Sequence, residues 1–358
     1  MATTAYGVNH PLAVKLWSKK LMREALKETF ASRFMGDSKN SLIYVKDETS
    51  KSAGDRITVG LRMQLTAAGV AGDATLEGSE ESLTTYDDTL LIDQLRHAVR
   101  SDGKMSEQRV PFSVREEALD GLKDWWADRI DTAFFNQISG NTAQADTRYT
   151  GGNATVAPST TSGNSRIVYG PVSTTENSLS SESGSANFQL TMIDKAIALA
   201  KVATPLIRPI KVGGADKYVA FLHPYQVYSL RTDATSGRVT WYDTQKAVIQ
   251  GGGENNIFTG ALGEYNGVVL HESSRVPLSA ASGVTTVRRA IFCGAQAACI
   301  AYGRETNGAD QMNWTEELFD YGNQLGVSSG LIWGLKKARF NSIDFGTIVM
   351  ASHAEAPA

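Results

Sequence analysis

The segment Gly326-Val327-Ser328-Ser329-Gly330 has the G-x-S-x-G spacing that can raise a nucleophilic serine on a sharp strand-to-helix turn. The residues after it argue against that use. Leu331, Ile332 and Trp333 prolong an extended run, and only Asp344 and His353 follow as acid and base partners. His353 is expected in a frayed tail, and no His-Gly-Gly-Gly-type oxyanion segment is present. The segment therefore reads as a Gly/Ser-rich strand. The five histidines, His10, His97, His223, His271 and His353, are scattered, and none pairs with another His or Cys at metal-ligand spacing. His223, directly before Pro224, reads as the end of a strand. No G-x-x-x-x-G-K-[ST] loop occurs, and Gly251 to Gly253 precede Glu254, whose charge would repel a phosphate. Asp87 and Asp88 are adjacent in an extended run, so they point to opposite faces and read as strand-edge solvation. The expectation is no catalytic, cofactor or metal residue, and hence no enzyme.

The elements around these residues are more informative. Ile57, Val59, Leu61, Met63 and Leu65 alternate with Arg56, Thr58, Gly60, Arg62 and Gln64, the period of a strand with one buried and one wet face. Thr84–Arg100 can return beside it. Between them, residues 66–83 are rich in Gly, Ala, Ser and acid: Asp73, Glu77, Glu80 and Glu81. Hairpin loops usually need about 2–5 residues, and this one is far longer. A loop so long and polar cannot pack on its own chain; it is disordered or ordered by a partner, and a partner is favoured.

Ser113–Ser139 follows as the strongest helix, with Ser113 and Glu116 in capping-box spacing, apolar residues every three or four positions and Gly140 as its stop. At about 1.5 Å per residue it runs roughly 40 Å, long enough to tie several parts together. Residues 141–187, dominated by Ser, Thr, Gly and Asn, read as a surface insertion or mobile loop. Gln189–Ala203 is a second helix. Tyr218–Leu222, Gly267–His271 and Ala290–Cys293 read as buried strands, Tyr225–Arg231 and Trp241–Ile249 as helices, and Ala295–Tyr302 as a small-residue helix. Trp314–Tyr321, Leu325–Ala338 and Ile343–Met350 are late strands. Early and late segments are expected to meet, with an α/β block between them.

Bulk properties narrow the role. The charge is nearly balanced, 35 basic against 38 acidic residues, which disfavours a protein whose main task is gripping nucleic acid. Cys293 and Cys299 are too few for a disulfide framework and read as buried hydrophobes in a reducing compartment. No apolar run has the length of a membrane span, and residues 11–34 lack the hydrophobic block of a signal peptide. That N-terminal stretch is instead basic and amphipathic, with Trp17, Lys19, Lys20 and Arg23 as contact candidates. It docks on its own domain, or lies on a neighbour or a polyanion; both readings stand.

The order of parts resembles the major capsid proteins of tailed bacteriophages, which share the Johnson fold. "YVAFLHPYQVYSLR" from Tyr218 is similar to the start of their axial domain, and "GEYNGVVLHESSRVP" from Gly263 to a segment many such coat proteins carry. "YGVNHPLAVKLWSKKL" near the start and "LIWGLKKARFNSIDFG" near the end look like the N-four-like family of phage coat proteins in particular. The resemblance implies an α+β chain divided into an N-terminal arm (1–53), an extended loop hairpin (54–104), a peripheral domain with the spine helix (105–203 and 304–358) and an axial domain (204–303). It implies hexamers and pentamers on an icosahedral lattice around double-stranded DNA, and a place in the virion after assembly in the host cytoplasm. Further implied partners are scaffolding, portal and decoration proteins. Ile57, Val59, Leu61 and Met63 would make inter-subunit contacts, and the tip at Asp73, Glu77, Glu80 and Glu81 would meet a basic patch on a neighbour. Some coat proteins of this fold lock the shell by a bond from a lysine on this loop to an asparagine of a neighbour. No lysine lies between Lys51 and Lys104 here, so locking is expected to be non-covalent. An encapsulin-like nanocompartment shell is the alternative, and a serine hydrolase using Ser328 the distant one.

Overall fold

The structure, a computed structural model, describes residues 21–22, 24–46, 55–63, 65–111, 113–171, 173–181, 186–233, 262–303 and 312–357. Its organising strand is β11 (Gln324–Lys337). One edge of β11 pairs with β4 (Asp93–Arg100). The other edge pairs first with β10 (Met312–Phe319) and then with β9 (Ala298–Tyr302). Beyond β9 lie β1 (Ile43–Lys46), in parallel, and the short strand Met35–Gly36.

The side chains of β11 explain its placement. Val327, Ser329, Leu331, Trp333 and Leu335 are buried on one face. Across them lies α1 (Val114–Ser139), with Leu119, Leu122, Trp126 and Ile130 buried in the same core. Trp126 Nε1 donates to Ser329 Oγ at 3.0 Å, so the buried indole N–H is satisfied. On the opposite face every fourth residue is glycine. A Cβ on Gly326 would meet the Phe319 ring at 2.6 Å, on Gly330 the Arg96 side chain at 3.0 Å, and on Gly334 the Leu91 carbonyl oxygen at 2.0 Å. The glycines of the apparent nucleophile motif are thus packing seats.

The second sheet runs β5 (Ile167–Tyr169), β12 (Thr347–His353), β8 (Val287–Cys293), β6 (Ala215–Leu222) and β7 (Val268–Glu272), with Glu264–Tyr265 at its edge. Alternation on β6 divides its neighbours. Tyr218, Ala220 and Leu222 pack with α3 (Leu190–Val202) and α4 (Pro224–Thr232), while Val219 and Phe221 face the α1 core. The C-terminus of α1 is fastened to this sheet. Arg289 donates to Gly140 O at 2.7 Å, and its Nε lies 2.6 Å from Glu176 of α2 (Glu176–Ser181). A cation there complements the helix dipole and bonds an otherwise free carbonyl.

Several expectations change. Ala295–Tyr302 is not a helix: 298–302 is strand β9, buried between β1 and β11. A short, wholly apolar run does not declare its period, so packing decides. The Ser113 side chain makes no capping bond; the N–H groups of Glu116 and Glu117 use Ser113 O instead. Ser113 and Glu116 are exposed, and water competes for both side chains. Gly140 does end the helix, at φ 63°. His353 lies not in a frayed tail but in β12, opposite Val287. Residues 141–187 are not simply a surface insertion, since Thr150, Asn153, Ser159 and Arg166 are buried in the fold. The sheets do not sort by the expected ranges either: β9 of 204–303 is in the first sheet, and β12 of 304–358 and β5 of 105–203 are in the second. Trp241–Ile249 lies outside the described residues.

His223 terminates β6 and caps α4. Its Nδ1 accepts from Tyr225 N–H at 3.2 Å, and its own N–H donates to Gln226 Oε1 at 3.0 Å. Burial, then the nearby Arg288, lower its pKa to about 4. Because the unfolded imidazole takes its proton first, stability present above about pH 6.5 is lost as pH falls towards 4. Replacing His223 by Asn keeps a capping acceptor and removes the titration. The variant should melt close to the parent at pH 7 and lose less Tm between pH 6.5 and 4. An unchanged acid slope would show that other groups carry it, His271 first, whose pKa burial also lowers.

Candidate self-assembly interface

The region that stands apart is the hairpin of β2 (Arg56–Arg62) and β3 (Thr85–Leu91). These strands pair antiparallel with each other, from Arg56 opposite Leu91 to Arg62 opposite Thr85, and form their own two-stranded sheet. Ile57, Val59, Leu61 and Tyr86 are half-buried and pack with Tyr44, Phe340 and Phe345. Arg56, Thr58, Gly60, Arg62 and Asp87 are exposed on the other face. The expected period of two is therefore present. The expected return strand is divided: β3 belongs to the hairpin and β4 to β11.

The base of the hairpin is held by polar groups. Asn153, 3 % exposed, accepts from Leu91 N–H at 2.9 Å. Its Nδ2 lies 2.9 Å from Leu91 O, 3.1 Å from Gly151 O and 3.2 Å from Leu335 O. Gln137 of α1 donates to Thr150 O at 2.8 Å and Asn153 O at 2.7 Å, steadying that loop. Asp88 is not an edge-solvating carboxylate. It pairs with Lys336, which also donates to Thr89 O at 2.8 Å, and it accepts from Arg339 N–H at 3.1 Å. Spacing had marked neither Asn153 nor Lys336. The glycine repeat on β11 was the one available sign of a close approach there.

Beyond Met63, whose N–H donates to Thr84 O at 3.0 Å, the hairpin leaves the body. The described residues from Leu65 to Thr85 are all exposed, with Leu76 at 60 % and Leu83 at 57 %. Of the acidic candidates, Asp73 and Glu77 are exposed, and Glu80 accepts from Gly78 N–H at 2.7 Å. Glu81 is a local staple: its carboxylate accepts from the N–H groups of Thr66 and Ala67, each at 2.8 Å, which hold its pKa below the usual value. Trp17, Lys19, Lys20 and Arg23 lie outside the described residues. The described residues from Leu21 onward dock on their own subunit. Leu21 and Ala25 are fully buried, and Asp131 accepts from the N–H groups of Phe30 and Ala31 at 2.9 and 2.8 Å.

The residues first considered for chemistry are kept apart. Ser328 lies mid-strand between Ala98 and Thr315, Asp344 is buried against Lys337 at 3.0 Å, and His353 is in the other sheet. Burial raises both thiol pKa values, that of Cys299 to about 12. Among the described residues, no group of three or more His, Cys, Asp and Glu is placed to hold a metal ion. No helix among them is long and apolar enough to cross a membrane.

The described residues thus comprise a long helix, two sheets and an outreaching hairpin. The model of the phage capsid protein family matches residues 4–356, and the chain belongs to that family. It is 29 % identical to the major capsid protein of Pseudomonas phage KPP25, over 93 % of both chains. The capsid of Ralstonia phage GP4 is similar at 35 % identity and TM-score 0.76, covering 100 % of both. The cyanophage Pam1 capsid, at 20 % identity and TM-score 0.71 over 93 % and 94 %, shares the fold. The function is that of a major capsid protein of a phage head, and its relatives are structural proteins of the virion shell.

Two substitutions test the base of the hairpin. Asn153→Ala should cost about 2–4 kcal/mol, because buried backbone groups lose their partners. Leu91 amide exchange should then quicken before global unfolding. Gly334→Ala should loosen the same segment by driving a methyl against Leu91 O. Unchanged exchange at Leu91 in both variants would mean the clamp is dispensable.

Proposed function

We propose that this chain forms hexamers and pentamers of an icosahedral head enclosing double-stranded DNA, each hairpin lying across a neighbouring subunit. The observation that carries this is the hairpin's division into an anchored base and an end whose described residues are all exposed. Ile57, Val59 and Leu61 have partners at the base, whereas Leu65, Leu76 and Leu83 stand in solvent. Exposed leucines on the loop beyond the paired strands favour burial by a second copy, at about 25 cal/mol per Å² of apolar surface. The chain acts as a structural protein and catalyses no reaction. Residues 105–203 with 304–358 supply most of the peripheral unit and 204–303 most of the axial unit, with β9 crossing into the first sheet and β5 and β12 into the second.

The balanced charge suits a container. Affinity for DNA rises with each neutralised phosphate, so a strongly basic interior would hold the genome against release. Contact with DNA is non-specific, and scaffolding, portal and decoration proteins complete assembly in the host cytoplasm. With no lysine from 52 to 103, the lattice is held without covalent links from the loop. Many weak contacts, repeated over a closed shell, give it strength.

Replacing residues 66–83 by Asn-Gly should leave a folded subunit, because the segment is exposed throughout. Electron microscopy should then show no closed shells. Normal shells from this variant would overturn the proposed role of the hairpin. Boiled particles of the parent should run at the subunit mass in a denaturing gel; a ladder of larger species would contradict non-covalent locking.

A further inference from the structure

His271 lies in β7, opposite Phe221 of β6. Its ring centre is 6.0 Å from that of Phe221, and the rings of Phe34 and Phe30 close over it at 5.2 and 6.1 Å. Phe30 and Phe34 belong to residues 24–36, which pack on the body ahead of β1. From its other side this segment is held by α1. Phe30 stacks on Phe135 at 6.2 Å, and Asp131 accepts from the N–H groups of Phe30 and Ala31. The imidazole is therefore one wall of the seat in which Phe30 and Phe34 rest.

We propose that His271 is a pH-sensitive catch: a proton on its ring loosens Phe30 and Phe34 and releases their segment from the body. A neutral imidazole carries one N–H and packs among phenyl rings as a flat, weakly polar group. The imidazolium carries two donors and a charge, and phenyl rings supply neither an oxygen acceptor nor a counter-ion. The charge that acts on it from the segment is Arg33, which repels it. Glu272, the next residue of β7, is exposed and points to the opposite face. Burial, then Arg33, hold the His271 pKa below its usual value. With the segment lifted, the ring meets water and takes a proton near its ordinary value of about 6.5. Docking therefore weakens as pH falls through about 6.5, by up to about tenfold per pH unit while the docked ring stays neutral. Asp131 has the opposite sign. Burial raises its pKa and Asp128 adds to this, against the N–H groups of Ala31 and Phe30 and against Arg275, 3.5 Å away. The docked carboxyl takes a proton before a freed one does, so acid acting through Asp131 tightens the docking. Loosening on mild acidification thus belongs to the imidazole.

Hydrogen exchange of the full chain tests it, with rates corrected for the intrinsic effect of pH on exchange. Between pH 7.5 and 5.5 the protection of the Phe30 and Ala31 amides should fall several-fold, to a limit of about tenfold. Protection of Ile130 and Phe134 in α1 should remain higher at both values, which separates local release from unfolding of the whole subunit. His271→Phe keeps a ring in the seat and removes the titration, so its Phe30 and Ala31 amides should be equally protected at both values. His271→Leu takes its place if the phenylalanine variant does not fold. Equal protection of the parent at both values overturns the proposal, and so does a loss in the variant as large as the parent's. Tighter docking of the parent at pH 5.5 would assign the titration to Asp131 and overturn it as well.

Discussion

The structure depends on how closely other segments approach one strand. β11 carries α1 on one face, has strands along both edges and is crossed on its second face by Phe319, Arg96 and Leu91. Side chains at 326, 330 and 334 would block those crossings. Glycine in a strand costs roughly 0.5–1 kcal/mol relative to alanine in lost backbone freedom. What it permits is larger. Phe319 lies over Gly326, and the Arg100 guanidinium sits 4.3 Å from the Phe319 ring centre. At the far end Leu91 comes within bonding reach of Asn153, and this fixes where the hairpin departs.

Buried charges then hold the layers in register. The Arg289–Glu176 pair joins the second sheet to the end of α1. Lys337 and Asp344, 2 % and 1 % exposed, fasten β11 to the segment before β12. Burial alone would lower the Lys337 pKa, and the facing carboxylate opposes this. Such pairs add little net stability over an apolar replacement, but removing one partner typically costs about 3–5 kcal/mol. Their effect is selective, because a shifted sheet would strand an unpaired charge. Lys336 and Asp88 do the same for the hairpin on the outer face of β11.

The parts legible in the sequence were those with a period. α1 announced itself by apolar residues every three or four positions, and β2 by strict alternation. β2 and the first half of α1 each turn one face inward, whereas residues 133–139 of α1 are buried all round. β9 was illegible for the opposite reason: it is buried on both faces, and an unbroken apolar run has no period to read. The clamp was illegible for another reason. Asn153 sits in a Ser/Thr/Gly-rich stretch whose composition signals a loop, and composition carries no record of which backbone groups a side chain will satisfy. The G-x-S-x-G spacing was visible but ambiguous. Glycine serves a tight turn and a close crossing alike, and only the continuous ladder through Ser328 separates the two. Trp17, Lys19, Lys20 and Arg23 keep their standing as sequence expectations.

The assembly reading asks one contact to serve rings of five and of six, which differ in the angle between neighbours. A rigid, extensive interface would favour one ring. The hairpin offers a gradient instead. Its base is fixed by Asn153, Lys336 and the packing of Ile57, Val59 and Leu61, whereas the described residues 65–85 are exposed. The strand ladder ends at Arg62 and Thr85, so in the proposed assembly the segment beyond it would take up the angular difference without disturbing the core. Glu81, bonded to Thr66 and Ala67, keeps the ends of the tip together while the ribbon bends. In the proposed assembly, rigidity at the base would set the direction in which a neighbour is sought, and compliance beyond it would let the same residues meet that neighbour in either ring.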